Sequence, residues 1–213
     1  MTNKKCQEKR LSEAIKLFPQ IKILRFLGSG NKGEAYLTED GYVLKITIDR
    51  EEYSTALTIK GRKLKHVINI YECHEFECIY DDEYSDSLFC IREEFLDTIS
   101  RKDIVSKFVF LFKRAWFSIY FPEIEKLSTA TFDDLDEYMR HPKEYSEAIV
   151  FTKEYIINEG NKLGLGKVFD DIYNQLLAAY VELYKFAPES HLDLNDGNIG
   201  FTSKEILKIF DIQ

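Results

Sequence analysis

Ser190-His-Leu-Asp-Leu-Asn-Asp-Gly-Asn-Ile-Gly-Phe201, followed after a short turn by Ile206-Leu-Lys-Ile-Phe-Asp211, is the stretch on which the predicted fold depends most. Its spacing is His-x-Asp-x-x-x-x-Asn, then an apolar strand, a turn, and a second apolar strand that ends in Asp. Such a loop can place one base-like carboxylate and two metal ligands around a phosphoryl group. The pattern predicts Asp193 as the base, and Asn198 and Asp211 as the metal ligands.

The residue types in this pattern suit Mg²⁺ and phosphate. Mg²⁺ binds carboxylate and amide oxygens and keeps several of its waters, so one Asp and one Asn suit it better than a closed cage of ligands. Phosphoryl transfer requires mainly positioning and neutralisation of charge. An ordinary explanation stays open, because Asp193 and Asn195 could be loop residues that hydrogen-bond their own backbone. His191 is interpreted as a structural residue of the loop.

A second motif lies near the beginning of the chain. Leu27-Gly-Ser-Gly-Asn-Lys-Gly-Glu-Ala-Tyr36 contains G-x-G-x-x-G between two predicted strands, and its backbone N–H groups could cover phosphates. A dinucleotide-binding fold needs a helix directly after the glycines, whereas Asp40-Gly41 predicts a hairpin turn here. The next predicted strand, Tyr42–Ile46, carries Lys45.

Together these motifs resemble those of the protein-kinase-like superfamily, over residues 20–98 and 168–213. The resemblance implies an α+β fold of two lobes, with ATP and Mg²⁺ as cofactors. Residues 1–97 would form an antiparallel sheet with one helix, and residues 98–213 a reduced, mainly helical lobe. It assigns catalysis to Asp193 and Lys45. The residues that it assigns to nucleotide binding are Gly28, Ser29, Gly30, Gly33, Lys45, Glu52, Glu94 and Asn198.

Two of these assignments depend on segments between the motifs. Residues 50–61 predict a helix that Asp49 caps and Gly61 ends. Glu52 shares a face with the apolar residues of this helix and could pair with Lys45, or it could simply complement the helix N-terminus. Glu94 belongs to residues 92–96, which the resemblance makes the hinge between the lobes, where backbone groups would contact adenine.

The C-terminal motif departs from the protein-kinase pattern at three places. Leu192 replaces an arginine, which removes the cation that would bind a phosphorylated activation loop. Asn195 replaces a lysine, which is similar to aminoglycoside and choline kinases. Ile212 follows Asp211 where protein kinases have phenylalanine, and the sequence ends soon afterwards, before the segment that forms the protein-substrate platform in that family. Two explanations stay open, a naturally minimal kinase and a piece of a longer one.

The other segments predict helices and strands. Residues 7–18 predict a helix that ends at Pro19, and residues 67–71 and 88–91 predict two strands. Between those strands, residues 72–86 carry seven carboxylates and no Lys or Arg, which favours a solvated hairpin, with a partner-binding surface as the alternative. Residues 102–183 predict helices with an apolar core face, one of them ending at Gly160.

Composition restricts the classes of function. Apolar residues make up 45% of the chain and the net charge is −8, which argues against nucleic-acid and anionic-membrane partners. The chain has no 18-residue apolar run and no apolar signal core, which predicts a cytoplasmic location. The cysteines at positions 6, 73, 78 and 90 have no metal-binding spacing, so reduced thiols are expected.

The most specific hypothesis from the sequence is a minimal serine/threonine protein kinase that transfers the γ-phosphate of ATP to a protein hydroxyl. One alternative is a nucleotide-binding pseudokinase or inhibitory binding module, which the missing substrate platform favours. Another is a small-molecule kinase of the aminoglycoside phosphotransferase type, which Asn195 favours.

Overall fold

A computed structural model of the chain describes residues 3–80, 85–120, 146–190 and 194–210. The fold is α+β, with an antiparallel five-stranded sheet and several helices. The chain forms two compact units. The first contains the described residues up to Leu64 together with Ile68–Phe95, and the second contains Lys65–Val67 and the described residues from Leu96 onward.

The first unit is built on the five-stranded sheet, in the order β1-β2-β3-β5-β4 with every neighbour antiparallel. The predicted hairpins around the glycine motif and the Asp40-Gly41 turn are both present, and Gly41 has the positive φ of 85° that such turns favour. The strands are β1 (Ile23–Ser29), β2 (Gly33–Thr38), β3 (Tyr42–Thr47), β4 (Ile70–Ile79) and β5 (Ser85–Glu94).

Each face of this sheet carries one helix. Successive side chains of a strand point to opposite faces, so Leu44 and Ile46 face α1 (Asn3–Leu17), whereas Lys45 faces α2 (Arg50–Ile59). The predicted N-terminal helix therefore packs on the sheet and buries an apolar cluster. Its buried members are Ala14, Phe18, Ile21, Tyr36, Leu44, Ile46, Cys78, Leu88 and Cys90.

A polar cluster joins α1 to β2 and to the hairpin of β4 and β5. Arg10 donates from Nε to the Tyr80 hydroxyl at 2.6 Å and from Nη2 to Asp86 Oδ2 at 3.2 Å. Its Nη1 lies 3.6 Å from Glu34 Oε1, and the Tyr36 hydroxyl donates to the other oxygen of Glu34 at 2.5 Å. Arg10 thus supplies a counter-charge for Glu34, a carboxylate that is almost fully buried.

The two strands of the acidic hairpin differ from the predicted ones, since β4 begins at Ile70 and not at residue 67, and both strands are longer than predicted. β4 continues to Ile79 and β5 begins at Ser85, so regular pairing covers most of residues 72–86. The carboxylates did not prevent strand formation, because Glu75 and Glu77 stay exposed on one face of β4, whereas Phe76 and Cys78 on the other face pack into the apolar cluster under α1. All four cysteines are free thiols, as predicted.

The second unit is mainly helical. Its helices are α3 (Lys102–Tyr120), α4 (Ser146–Lys162) and α5 (Gly166–Phe186), followed by a two-stranded antiparallel hairpin of β6 (Ile199–Phe201) and β7 (Leu207–Ile209). The apolar stripe predicted for the last helix is confirmed, since Phe169, Ile172, Leu176, Ala179 and Leu183 are all buried. Phe108 and Phe112 pack against it, which confirms the core interpretation of those two aromatic residues.

The predicted helix end at Gly160 is wrong, because α4 continues to Lys162 and the chain turns at Gly164 with φ of 72°. Gly160 has a packing role instead. A Cβ at this position would lie 2.6 Å from Cδ2 of Phe169 and 3.1 Å from the Cα of Gly166. The absence of a side chain lets α4 and α5 approach closely, which sequence periodicity does not reveal.

Gly160→Ala is expected to lower the free energy of unfolding by about 1–3 kcal/mol, the usual cost of overpacking a core. This is opposite in sign to the roughly 1 kcal/mol by which alanine is favoured over glycine inside an unobstructed helix. Urea denaturation checks it, with Asn158→Ala as a matched control at an exposed position of the same helix. A stabilised Gly160→Ala protein would contradict the packing argument.

Candidate functional site

The glycine motif forms a hairpin in the first unit. Gly28 and Ser29 lie in β1, Gly33 begins β2, and the amide of Gly30 donates to the carbonyl of Gly33 at 2.9 Å. Gly33 is required by the sheet, because a Cβ there would lie 2.6 Å from the carbonyl oxygen of Ile46. In contrast, apart from the adjacent residues, no atom of the described chain lies within 4 Å of a Cβ built on Gly28 or Gly30.

Lys45 lies on β3 and forms an ion pair with Glu52, through Nζ and Oε1. Their side chains are only 15% and 7% exposed, so the pair is well shielded from water. Of the two explanations that the sequence left open for Glu52, the structure shows the inward one. The pair fixes the ammonium of Lys45 at one place on the face of the sheet that α2 covers.

The start of α2 is held by Asp49, as predicted. Asp49 Oδ1 accepts from the amides of Glu51 at 3.0 Å and Glu52 at 3.4 Å, which caps the helix. This cap therefore sets the residue at which α2 begins, and so the position in the helix at which Glu52 faces Lys45. Thr47 adds to it, because its hydroxyl oxygen accepts from the amide of Asp49 at 3.0 Å.

Sequence reasoning missed a contact from the glycine hairpin to this cap. Lys32 donates from Nζ to Asp49 Oδ2 at 2.7 Å, and the carbonyl of Lys32 accepts from the amide of Ile48 at 2.9 Å. Burial would raise the pKa of Asp49, but hydrogen bonds from Lys32 and from the amides of Glu52 and Glu51 lower it below the ordinary value. The same hydrogen bond raises the pKa of Lys32.

Glu94 uses its side chain within the first unit. Its Oε2 accepts from Nδ2 of Asn69 at 2.8 Å, and its backbone amide donates to the carbonyl of Asn69 at 3.0 Å. These bonds tie the end of β5 to the segment before β4. The predicted hinge role concerns backbone groups of residues 92–96 and stays a prediction.

In the second unit, the loop before β6 is stabilised by its own polar residues. Asn195 Oδ1 accepts from the amide of Gly197 at 2.8 Å, which is the ordinary loop role that the sequence left open for it. Asp196 accepts from the hydroxyl of Ser106 on α3. This second bond was not predicted, because nothing in the local motif indicates a partner 90 residues away.

Asn198 is almost fully buried at the entrance to β6. Its backbone amide donates to the backbone carbonyl of Asn195 at 3.2 Å, and its backbone carbonyl accepts from the backbone amide of Phe210 at 3.0 Å. The hairpin thereby places Asn198 beside Phe210, the residue that precedes Asp211 in the sequence. His191, Asp193 and Asp211 lie outside the described residues.

Among the described residues, the possible metal ligands form no cluster, and the groove of the second unit is lined by residues other than the predicted ones. Within the described ranges, no group of three or more His, Cys, Asp or Glu side chains could hold a metal ion. A groove of about 400 Å³ lies on the second unit, and none of the predicted site residues lines it. Its lining residues are Lys65, His66, Asp171, Asn174, Gln175, Glu205 and Ile206.

Comparison with family models and curated proteins adds no evidence of function, so a functional assignment rests on the residues of the chain. The chain matches no protein-family model, and no curated protein matches it. Among the residues that the structure describes, no helix is both long enough and apolar enough to cross a membrane.

Replacement of Glu52 by Gln is expected to lower the free energy of unfolding by roughly 2–4 kcal/mol, since it removes the carboxylate that faces a shielded ammonium. Replacing both members, as in Lys45→Met with Glu52→Leu, is expected to recover most of this loss, because apolar residues of similar volume need no counter-charge. Chemical denaturation of the single and double variants measures the coupling. Strictly additive effects would show that the two side chains do not interact in solution.

Asp49 gives the protein a pH dependence. Its pKa is lowered in the folded state, so its charge stabilises the fold above the ordinary value of 3.8, and this contribution is lost as the pH falls through the lower folded value. Asp49→Asn keeps a capping side chain and removes the charge. We expect the variant to be less stable than the wild type at pH 7, by up to about 1 kcal/mol, and the difference to shrink between pH 4 and 2. Thermal melts across this range test the sign, and a difference that grows on acidification would contradict it.

Proposed function

We propose that this chain is an ATP- and Mg²⁺-dependent phosphotransferase of the protein-kinase-like fold, and that its acceptor is a serine or threonine of a protein. The observation that supports the proposal most is the shielded ion pair between Lys45 and Glu52. In the kinase-like superfamily, a lysine on the strand after the glycine hairpin binds the α and β phosphates and is oriented by a helix glutamate.

The glycines give independent support. Neither Gly28 nor Gly30 has a positive φ, and the described chain leaves open space where a Cβ would stand. Neither crowding nor a positive φ within the described part of the first unit therefore requires glycine at these two positions. A glycine that its own fold does not need is explained when a ligand must approach the backbone closely, as phosphates do in a glycine-rich hairpin.

The loop of the second unit supplies the remaining chemistry. Asn198 would be one ligand of Mg²⁺ and Asp211 another, and the ion would offset charge on the phosphates. Asp193 would accept the proton of the acceptor hydroxyl as its oxygen forms a bond to the γ-phosphorus. The bond between that phosphorus and the bridging oxygen of ATP breaks, and ADP leaves. The net charge of −8 favours basic acceptors, through an attraction that salt screens.

The proposal is tested by incubating the purified chain with γ-labelled ATP and Mg²⁺, alone and with basic peptides that contain serine and threonine. We expect label on the protein or the peptides. Lys45→Met is expected to reduce its rate by about 10²–10³-fold, the usual loss when one charge-stabilising group is removed. Asp211→Asn is expected to be similarly impaired, and chelation of Mg²⁺ is expected to abolish transfer.

Two variants separate binding from folding in this experiment. Gly28→Ala is expected to leave the melting temperature unchanged and to weaken ATP binding about tenfold, or about 1.4 kcal/mol. Lys22→Met is the matched control, because the Lys22 side chain is exposed and lies 3.6 Å from the likewise exposed carboxylate of Glu39. Binding of ATP without transfer would favour the pseudokinase, and transfer only to small hydroxylated acceptors would favour the small-molecule kinase. Absence of ATP binding would contradict the proposal.

A further inference from the structure

We propose that Lys32 is a positioning residue of the phosphate-binding segment, and that it acts through Asp49 to hold the turn of the glycine hairpin against the start of α2. The inference rests on the proposed function, because it assumes that this hairpin covers the phosphates of ATP. It adds to that function a residue pair that the sequence motif does not contain. Lys32 occupies one of the unspecified positions of G-x-G-x-x-G.

Lys32 is attached to the segment before α2 by its backbone and by its side chain. Its carbonyl accepts from the amide of Ile48 at 2.9 Å and from the hydroxyl of Thr47 at 3.2 Å. Its ammonium donates to Asp49 Oδ2 at 2.7 Å. These three bonds reach three consecutive residues, so the turn is fixed in both position and orientation.

Asp49 is suited to act as the fixed member of this pair. Its side chain is 6% exposed, and its other oxygen already accepts from the backbone amides of Glu51 and Glu52. The Lys32 side chain is 52% exposed and long, so it is the member that can move. A charged hydrogen bond to a carboxylate that the helix start already holds is stronger than one between two mobile surface side chains.

The pair also joins the glycine hairpin to Lys45. A hydrogen bond connects Lys32 to Asp49, the cap connects Asp49 to the backbone of Glu52, and the ion pair connects Glu52 to Lys45. Two groups are proposed to contact phosphate, the hairpin amides and the Lys45 ammonium. Both are positioned by bonds to the same residues at the start of α2. Loss of the Lys32 bond would loosen the hairpin and leave Lys45 in place.

A direct contact between Lys32 and the phosphates is the competing explanation, and the two make opposite predictions for Asp49. If Lys32 acts through Asp49, Asp49→Asn weakens ATP binding. If Lys32 contacts ATP directly, Asp49→Asn releases the ammonium and strengthens binding. The double variant Lys32→Met with Asp49→Asn separates them further, because residues that act as one unit give non-additive losses.

The test measures the dissociation constants of Mg²⁺-ATP and of adenosine by calorimetry. We expect Lys32→Met and Asp49→Asn each to weaken ATP binding about three- to tenfold, with the double variant no worse than either single one. Adenosine binding is expected to be unchanged, since adenosine has no phosphate. Lys32→Arg is expected to retain wild-type affinity, and Lys22→Met is the control for loss of a surface lysine. Unchanged ATP affinity in Lys32→Met, or tighter binding in Asp49→Asn, would overturn the proposal.

Hydrogen exchange without nucleotide separates this inference from the proposed function. We expect the amide of Ile48, which donates to the carbonyl of Lys32, to exchange several-fold faster in Lys32→Met and at the wild-type rate in Lys22→Met. Equal rates in all three proteins would overturn the positioning role even if the wild type binds ATP. If the wild type does not bind ATP, the proposed function fails, and faster exchange in Lys32→Met alone would still support the role of Lys32 in ordering the turn.

Discussion

The ion pair between Lys45 and Glu52 is the constraint that fixes the start and the orientation of α2 against the sheet of the first unit. A lysine side chain that lies between a sheet and a helix needs a counter-charge, because a shielded ammonium without one lowers the free energy of unfolding. Glu52 can supply it only if α2 begins at a fixed residue and faces the sheet at a fixed angle. Asp49 sets that beginning through the cap, and the apolar residues of the helix, Ala56 and Ile59, set the angle by being buried.

The same alternation that directs Lys45 toward α2 directs its neighbours toward α1. Glu34 is the counterpart of Lys45 on the other face, since it is a buried charge that Arg10 and Tyr36 satisfy. The β-hairpin that contains the glycines is consequently attached on both faces of the sheet. Glu34 ties the beginning of β2 to α1, and Lys32 ties the preceding turn to the start of α2. Two attachments on opposite faces, each to a residue distant in the sequence, restrict a glycine-rich segment that would otherwise be mobile.

Local rules predicted much of this fold, and long-range register explains most of what they missed. Strands around the glycine motif follow from alternation and turn residues, and the cap at Asp49 follows from its side chain. The length of β4 and β5 was underestimated because its carboxylates suggested loop, whereas pairing to a partner strand tolerates charges on the accessible side. Gly160 looked like a helix end because glycine often is one, but close packing against Phe169 requires it. Lys32 and Asp49 are 17 positions apart, and only the sheet brings them together.

The loop of the second unit shows why a motif alone could not decide between structure and function. Asn195 accepts a hydrogen bond from the amide of Gly197, and Asp196 accepts one from the hydroxyl of Ser106, so both residues stabilise the shape of the loop. In the protein-kinase pattern that the motif resembles, a lysine that faces the γ-phosphate stands at the position of Asn195, and a neutral amide whose oxygen accepts from Gly197 cannot replace that cation. A phosphotransferase with this loop would need the ammonium of Lys45 and a bound Mg²⁺ to balance the phosphate charge. The shielded pair in the first unit therefore has more weight in the proposed chemistry than the loop that first suggested it.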